Sequence, residues 1–185
     1  MEKRIVYFEE LGRVNTEETF RLAAERAKQL GIRRFVIAST YGPTAARALD
    51  LLGADDFDLV FVGHHEKDFD PQVRKRVEDA GQAVIFYHDH DPKIPPVVEN
   101  AYRKICEGMK VTTQCVAAAV DAGVVQEGEQ VIAVAGTGPV AFPPGGGSDT
   151  ATVMTAAGGA AYREGYELPA KPERRKVLEI ICMPR

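Results

Sequence analysis

Cysteine is scarce in this chain, and what there is lacks a pairing pattern. Cys106, Cys115 and Cys182 cannot all pair within one molecule, and no two of them form a CxxC. Each lies in an apolar stretch, so they read as reduced core residues and not as a disulfide frame or a redox couple. An apolar run of membrane length is also missing, and the opening "MEKRIVYFEEL" sets only a short apolar run among charges. That is too little for the core of a signal peptide, so the expected partners include no membrane and the expected location is the cytoplasm. Positive charge is not in excess: 23 Lys and Arg against 27 Asp and Glu leave a formal net charge of −4. Nucleic acid, whose phosphates demand a basic surface, is therefore not an expected partner. The densest basic runs, "RKRVED" and "PERRK", alternate with acids or stand in a loop-like stretch and read as solvated faces. No G-x-x-x-x-G-K-[ST] occurs, which argues against a P-loop nucleotide hydrolase. No serine has the G-x-S-x-G setting of a nucleophile elbow.

What is present is the composition of one globular α/β domain over residues 1–185, 45% hydrophobic and 27% charged. Apolar runs at 4–8, 35–38, 59–62, 83–86, 131–135, 150–155 and 177–183 read as strands. Between them, Asn15 followed by Glu18 has capping-box spacing and predicts a helix whose apolar stripe is Phe20, Ala23, Ala27 and Leu30, ended by Gly31. Further helices are predicted at 43–52, from Asp70-Pro71 to about residue 80 before Gly81, and over 97–120 with a break near Gly108. Residues 162–176, "YREGYELPAKPERRK", are the most loop-like. Unbroken apolar strands separated by helices predict a three-layer α/β/α arrangement with a largely parallel sheet.

Two stretches carry the chemistry. "FVIASTYGPTAARAL" passes from a buried strand into a helix through Ser39, Thr40, Tyr41, Gly42, Pro43 and Thr44. Ligands of open parallel sheets gather at the carboxyl ends of strands, where this loop lies. Pro43 suits the first helical position, so the amides of Thr44, Ala45 and Ala46 lack intrahelical partners and carry the positive end of the helix dipole. Gly42 admits close approach of the backbone, and the hydroxyls donate to oxygens without adding charge. This combination fits a phosphate group; ordinary helix capping is the competing reading. Tyr41 offers a ring to stack on a planar ligand, or simply closes the loop.

The second stretch, "VIAVAGTGPVAFPPGGGSDTATVM", runs from 131 to 154. Its G-x-G-x-x-A is not a dinucleotide fingerprint, because Pro139, Pro143 and Pro144 forbid the helix that the fingerprint must open. Gly136 and Thr137 stand at the end of the strand. Gly145, Gly146 and Gly147 expose successive amides, with Ser148 and Thr150 adding hydroxyls, as in a backbone nest around an anion. Asp149 orients that loop or acts as a base. A flexible hairpin connection is the competing reading.

Together these loops resemble the strand, hydroxyl–glycine loop and later glycine-rich loop of the pyruvate kinase C-terminal domain, where the allosteric sugar phosphate is held. The likeness covers about 35–155. The flanks "RIVYFEELGRVNTEETFRLAAERAKQLGI" and "LEIICMPR" are similar to a group of stand-alone prokaryotic proteins related to that domain. The resemblance implies a mixed sheet in which the Phe35 strand adjoins the Val131 strand at the switch point and strand 150–155 runs antiparallel. It implies that the two loops face one crevice, and that FMN is the cofactor to expect there, its phosphate in the hydroxyl loop. It does not imply pyruvate kinase activity, because that chemistry belongs to a barrel of about 250 residues. The basic residues that grip a sugar bisphosphate in the kinase are missing from the Thr40-Tyr41-Gly42 loop. Related domains pack through helices, which leaves room for a homo-oligomer.

All four histidines follow strand ends, His64 and His65 in "FVGHHEKDF" and His88 and His90 in "FYHDHDP". Three readings stay open for them. With Asp89 or Asp91 they meet around a divalent metal, or His65 and His88 face a ligand, or all four are solvated. The function classes left open are a binding module for a phosphorylated small molecule, an enzyme using these histidines as acid–base groups, and an interaction protein stabilised by an anion.

Overall fold

Strands that are apolar on both sides need cover on both faces, and the computed structural model, which describes residues 4–53, 56–137, 146–164 and 176–185, supplies it. The strands are β1 (Val6–Phe8), β2 (Arg34–Ala38), β3 (Asp58–Gly63), β4 (Ala83–Phe86), β5 (Gln130–Ala135), β6 (Thr150–Thr155) and β7 (Val177–Pro184). The helices are α1 (Thr16–Leu30), α2 (Pro43–Leu52), α3 (Pro71–Asp79), α4 (Pro96–Arg103), α5 (Glu107–Asp121) and α6 (Gly159–Arg163). A 3-10 turn, Gly12–Asn15, leads into α1. One seven-stranded sheet has the order β1-β7-β6-β5-β2-β3-β4. Only β6 runs against its neighbours, pairing antiparallel with β5 and β7, while the other pairs are parallel. This is a mixed, mostly parallel α/β fold. None of the described helices is long and apolar enough to cross a membrane.

Strand alternation divides the core. Phe35 and Ile37 of β2, Leu59 and Phe61 of β3 and Ile132 and Val134 of β5 join Phe20, Ala45 and Val77 beneath α1, α2 and α3. On the opposite face, Val36, Val60, Ala133 and Met154 pack with Cys115, Val116 and Ala119 of α5. The apolar runs that looked unbroken in sequence are thus two interleaved faces. Cys106, Cys115 and Cys182 are buried free thiols, and burial pushes Cys115 and Cys182 up to about 12.

Several local expectations are corrected. The capping box at Asn15 and Glu18 does not form: the Asn15 amide donates to the Glu10 carbonyl at 2.7 Å, and Glu18 binds Arg21 instead. Asn15 already has helical backbone as the last residue of the turn, which aims its side chain backwards along the chain. Leu30 is exposed, and the buried stripe of α1 is Thr16, Thr19, Phe20, Ala23 and Ala27. The helical region breaks at Lys104–Cys106, because Cys106 is an extended N-cap whose sulfur accepts from the Met109 amide. Gly108 lies inside the first turn of α5, where a Cβ would stand 2.1 Å from Thr150 Oγ1. Helix α6 was unforeseen; its first turn is fixed by Asp121, which accepts from the Gly159 amide. The rest of the loop-like stretch, 165–175, lies outside the described residues.

Candidate anion-binding site

From β2 the chain moves to β3 and β4 on one side, then crosses back to place β5 on the other side of β2. The carboxyl ends of β2 and β5 therefore form the point where strand order reverses. A cavity of about 910 Å³ opens there. Its first wall is the hydroxyl loop, contributing Ser39, Thr40, Tyr41, Pro43 and Thr44. The Ser39 amide continues the sheet by donating to the Val62 carbonyl, and its buried hydroxyl accepts from the Ala45 amide at 3.0 Å. Ser39 thus caps α2. Ala46 donates to the Gly42 carbonyl, so of the three amides expected to be open only that of Thr44 lacks a partner among the described residues. Ala45 and Gly42 do not line the cavity. Gly42, at φ 112, turns the chain where a Cβ would lie 3.3 Å from Asp70 and Val73. The Tyr41 carbonyl accepts from the Asp70 amide, which fixes the loop to the start of α3.

The second wall is Gly136 and Thr137, following β5, with Gly146 and Gly147. The two sequence stretches therefore converge, but the glycine loop differs from the expected nest. Ser148, Asp149 and Thr150 are fully buried and turned inward. Asp149 accepts from the Thr137 amide at 2.8 Å, the Gly12 amide at 2.7 Å and the Thr150 hydroxyl at 2.9 Å. Ser148 donates its amide to Thr16 Oγ1 at 3.0 Å. Backbone packing is the reason: a Cβ on Gly147 would sit 2.4 Å from the Arg13 Cα, and one on Gly136 would sit 2.2 Å from the Gly147 carbonyl oxygen. These glycines bring protein backbones together. Gly145 lies outside the described residues.

Three cations that sequence reasoning missed complete the walls: Arg13 from the 3-10 turn, Arg47 from α2 and Lys110 from α5. Two acids accompany them. Arg47 is hydrogen-bonded to Glu17, and Lys110 lies 2.6 Å from Glu107, its side chain only 13% exposed. Burial raises the proton affinity of Glu107, but bonds from Lys110 and Arg103 outweigh it and hold the carboxyl below its usual range. Arg13 has no acidic partner among the described residues. The cavity therefore carries a surplus of positive charge beside uncharged donors, a setting that attracts an anion. Two of the three cations had a detectable signal. Arg47 follows Thr44 by three residues on α2, and Lys110 follows Glu107 by three on α5, which places each pair on one helix face. Nothing in the local sequence marks Arg13.

The histidines form a separate cluster. His64 and His65 follow β3 and His88 follows β4, with ring centroids 4.4 Å apart for His64–His65 and 4.3 Å for His65–His88. Burial against its neighbours, then the charges of His88 and His64, lower the proton affinity of His65. Neither His65 nor His88 lines the cavity. Among the described residues no group of three or more His, Cys, Asp or Glu side chains is placed to hold a metal ion.

No family model matches this chain. Among solved structures, a pyruvate kinase from Cryptosporidium parvum in complex with ADP is similar, with a TM-score of 0.42 and 16% identity. The match covers 85% of this chain and 25% of that one, so this chain spans about a quarter of that protein's length. The likeness is one of fold, at a low level.

Proposed function

We propose that this protein binds a phosphorylated small molecule, with the phosphate held by Thr40, Thr44 and the Thr44 amide at the start of α2, and that FMN is the leading candidate. The observation that carries the reading is the meeting of a helix N-terminus, two threonine hydroxyls and three cations around one cavity. A volume of about 910 Å³ falls in the range of small-molecule sites. Hydrogen bonds to a charged group contribute about 1.5–3 kcal/mol each, and the helix terminus adds about 0.3–1 kcal/mol. FMN enters through the resemblance of the two loops and the flanking segments to the stand-alone prokaryotic proteins related to the pyruvate kinase C-terminal domain. Tyr41, half exposed on the cavity wall, presents a face for a planar ring. The histidines take no part in this reading.

Calorimetric titration with FMN, riboflavin and AMP tests it. The unsubstituted protein is expected to bind FMN more tightly than riboflavin, which lacks the phosphate. Thr40→Val with Thr44→Val should weaken FMN binding by about a hundredfold, and Lys110→Ala by about tenfold. Equal affinity for FMN and riboflavin, or an unchanged affinity in the double valine variant, would overturn the reading. Binding of AMP in place of FMN would keep the phosphate site and replace the candidate.

A further inference from the structure

A carboxylate removed from water with no cation beside it is costly, and Asp149 is in that position. It is fully buried, and among the described residues no Lys, Arg or His pairs with it. Its compensation is three donors, from three separate places. The Gly12 amide begins the turn that carries Arg13, the Thr137 amide follows β5, and the Thr150 hydroxyl starts β6. Two further bonds strengthen the same junction, from the Ser148 amide to Thr16 Oγ1 and from the Thr19 hydroxyl to the Ser148 carbonyl at 3.2 Å. Asp149 and Gly12 do not line the cavity, whereas their neighbours Arg13, Thr137 and Gly147 do.

We propose that Asp149 is the positioning residue of the cavity: its carboxylate ties the Arg13 turn to the β5–β6 wall and so aims Arg13 and Gly147 at the bound anion. This rests on reading the cavity as an anion site. A neutral side chain of the same shape cannot replace it. An asparagine offers one acceptor oxygen, and its NH2 would face either the Gly12 or the Thr137 amide, donor against donor. The turn would then lose its anchor, and Arg13 its direction. Asp149 acts through Arg13, which gives the idea a distinctive signature.

The test is a double-mutant cycle with FMN as probe, or inorganic phosphate where FMN gives no heat, read by calorimetry with urea midpoints alongside. Asp149→Asn and Arg13→Ala should each weaken binding by about tenfold, and the double variant by about the same tenfold, because the second change removes what the first had already misdirected. A purely structural role would lower the urea midpoint while leaving the affinity losses additive. Additive losses, or unchanged affinity in Asp149→Asn, overturn the proposal. Should Asp149→Asn not fold, Thr19→Val, which cuts the bond to Ser148 at the same junction, goes through the same cycle with the same criterion. If the unsubstituted protein binds neither FMN nor phosphate, the anion reading fails and the positioning role falls with it. If it binds and the losses add, the positioning role alone fails.

Discussion

At the scale of single residues, a side chain's neighbours matter more than its type. His65 illustrates this away from the cavity. Burial is the main cause of its lowered proton affinity, and the charges on His88 and His64 add to it. A histidine with a depressed folded pKa contributes stability that is present above the unfolded value of 6.5 and is lost as pH falls through the folded pKa. In a proton NMR titration the His65 ring should therefore show a midpoint below 6.5. His88→Asn should raise that midpoint only in part, since desolvation remains; a midpoint at or above 6.5 in the unsubstituted protein would contradict this. The residues of the hydroxyl loop were legible because Thr40, Thr44 and Gly42 stand together at a strand end. Arg13 was not, since its turn is held at the cavity by contacts distant in sequence: the bonds of its neighbours Gly12, Thr16 and Thr19 to Ser148 and Asp149, and its own close backbone approach to Gly147.

At the scale of elements, the starts of α3 and α1 behave differently. Asp70 begins α3 with its carboxylate accepting from the Gln72 amide at 2.8 Å and the Val73 amide at 3.2 Å. Asn15 makes no such bond to α1. Asp70→Ala should therefore cost about 1 kcal/mol in urea unfolding, and Asn15→Ala clearly less. Equal losses would show that the Asn15 side chain caps α1 in solution. The same comparison explains what sequence could reveal of these elements. Pro71 and Pro43 fix helix starts through a preset φ and a missing donor, signals carried by the residue itself. The break before α5 depends instead on the Cys106 sulfur and on the close approach of Gly108 to Thr150, contacts made across the fold. The direction of the glycine loop is likewise set by its partners: Ser148 and Asp149 meet Gly12, Thr16 and Thr137, donors and acceptors that come from the N-terminal turn, the start of α1 and the stretch following β5.

At the scale of the whole molecule, the alternation of apolar strands and helices was enough to anticipate three layers, because a strand apolar on both faces has to be covered twice. The order of the strands was not contained in that pattern. Pairing of β2 with β5, which creates the crevice, links residues nearly a hundred positions apart, Phe35 with Ile132 in register. That pairing is what lets the amides and hydroxyls of one loop oppose the backbone of the other, with Arg13, Arg47 and Lys110 added from the 3-10 turn, α2 and α5. The central claim is that these groups act on one anion together, and amide-resolved NMR during titration with FMN tests it most directly. The expected result is that the amides of Thr44, Gly136, Gly146 and Gly147 shift in a single saturable event, with His65 and His88 undisturbed. Shifts confined to one of the two loops, or centred on the histidine cluster, would contradict it.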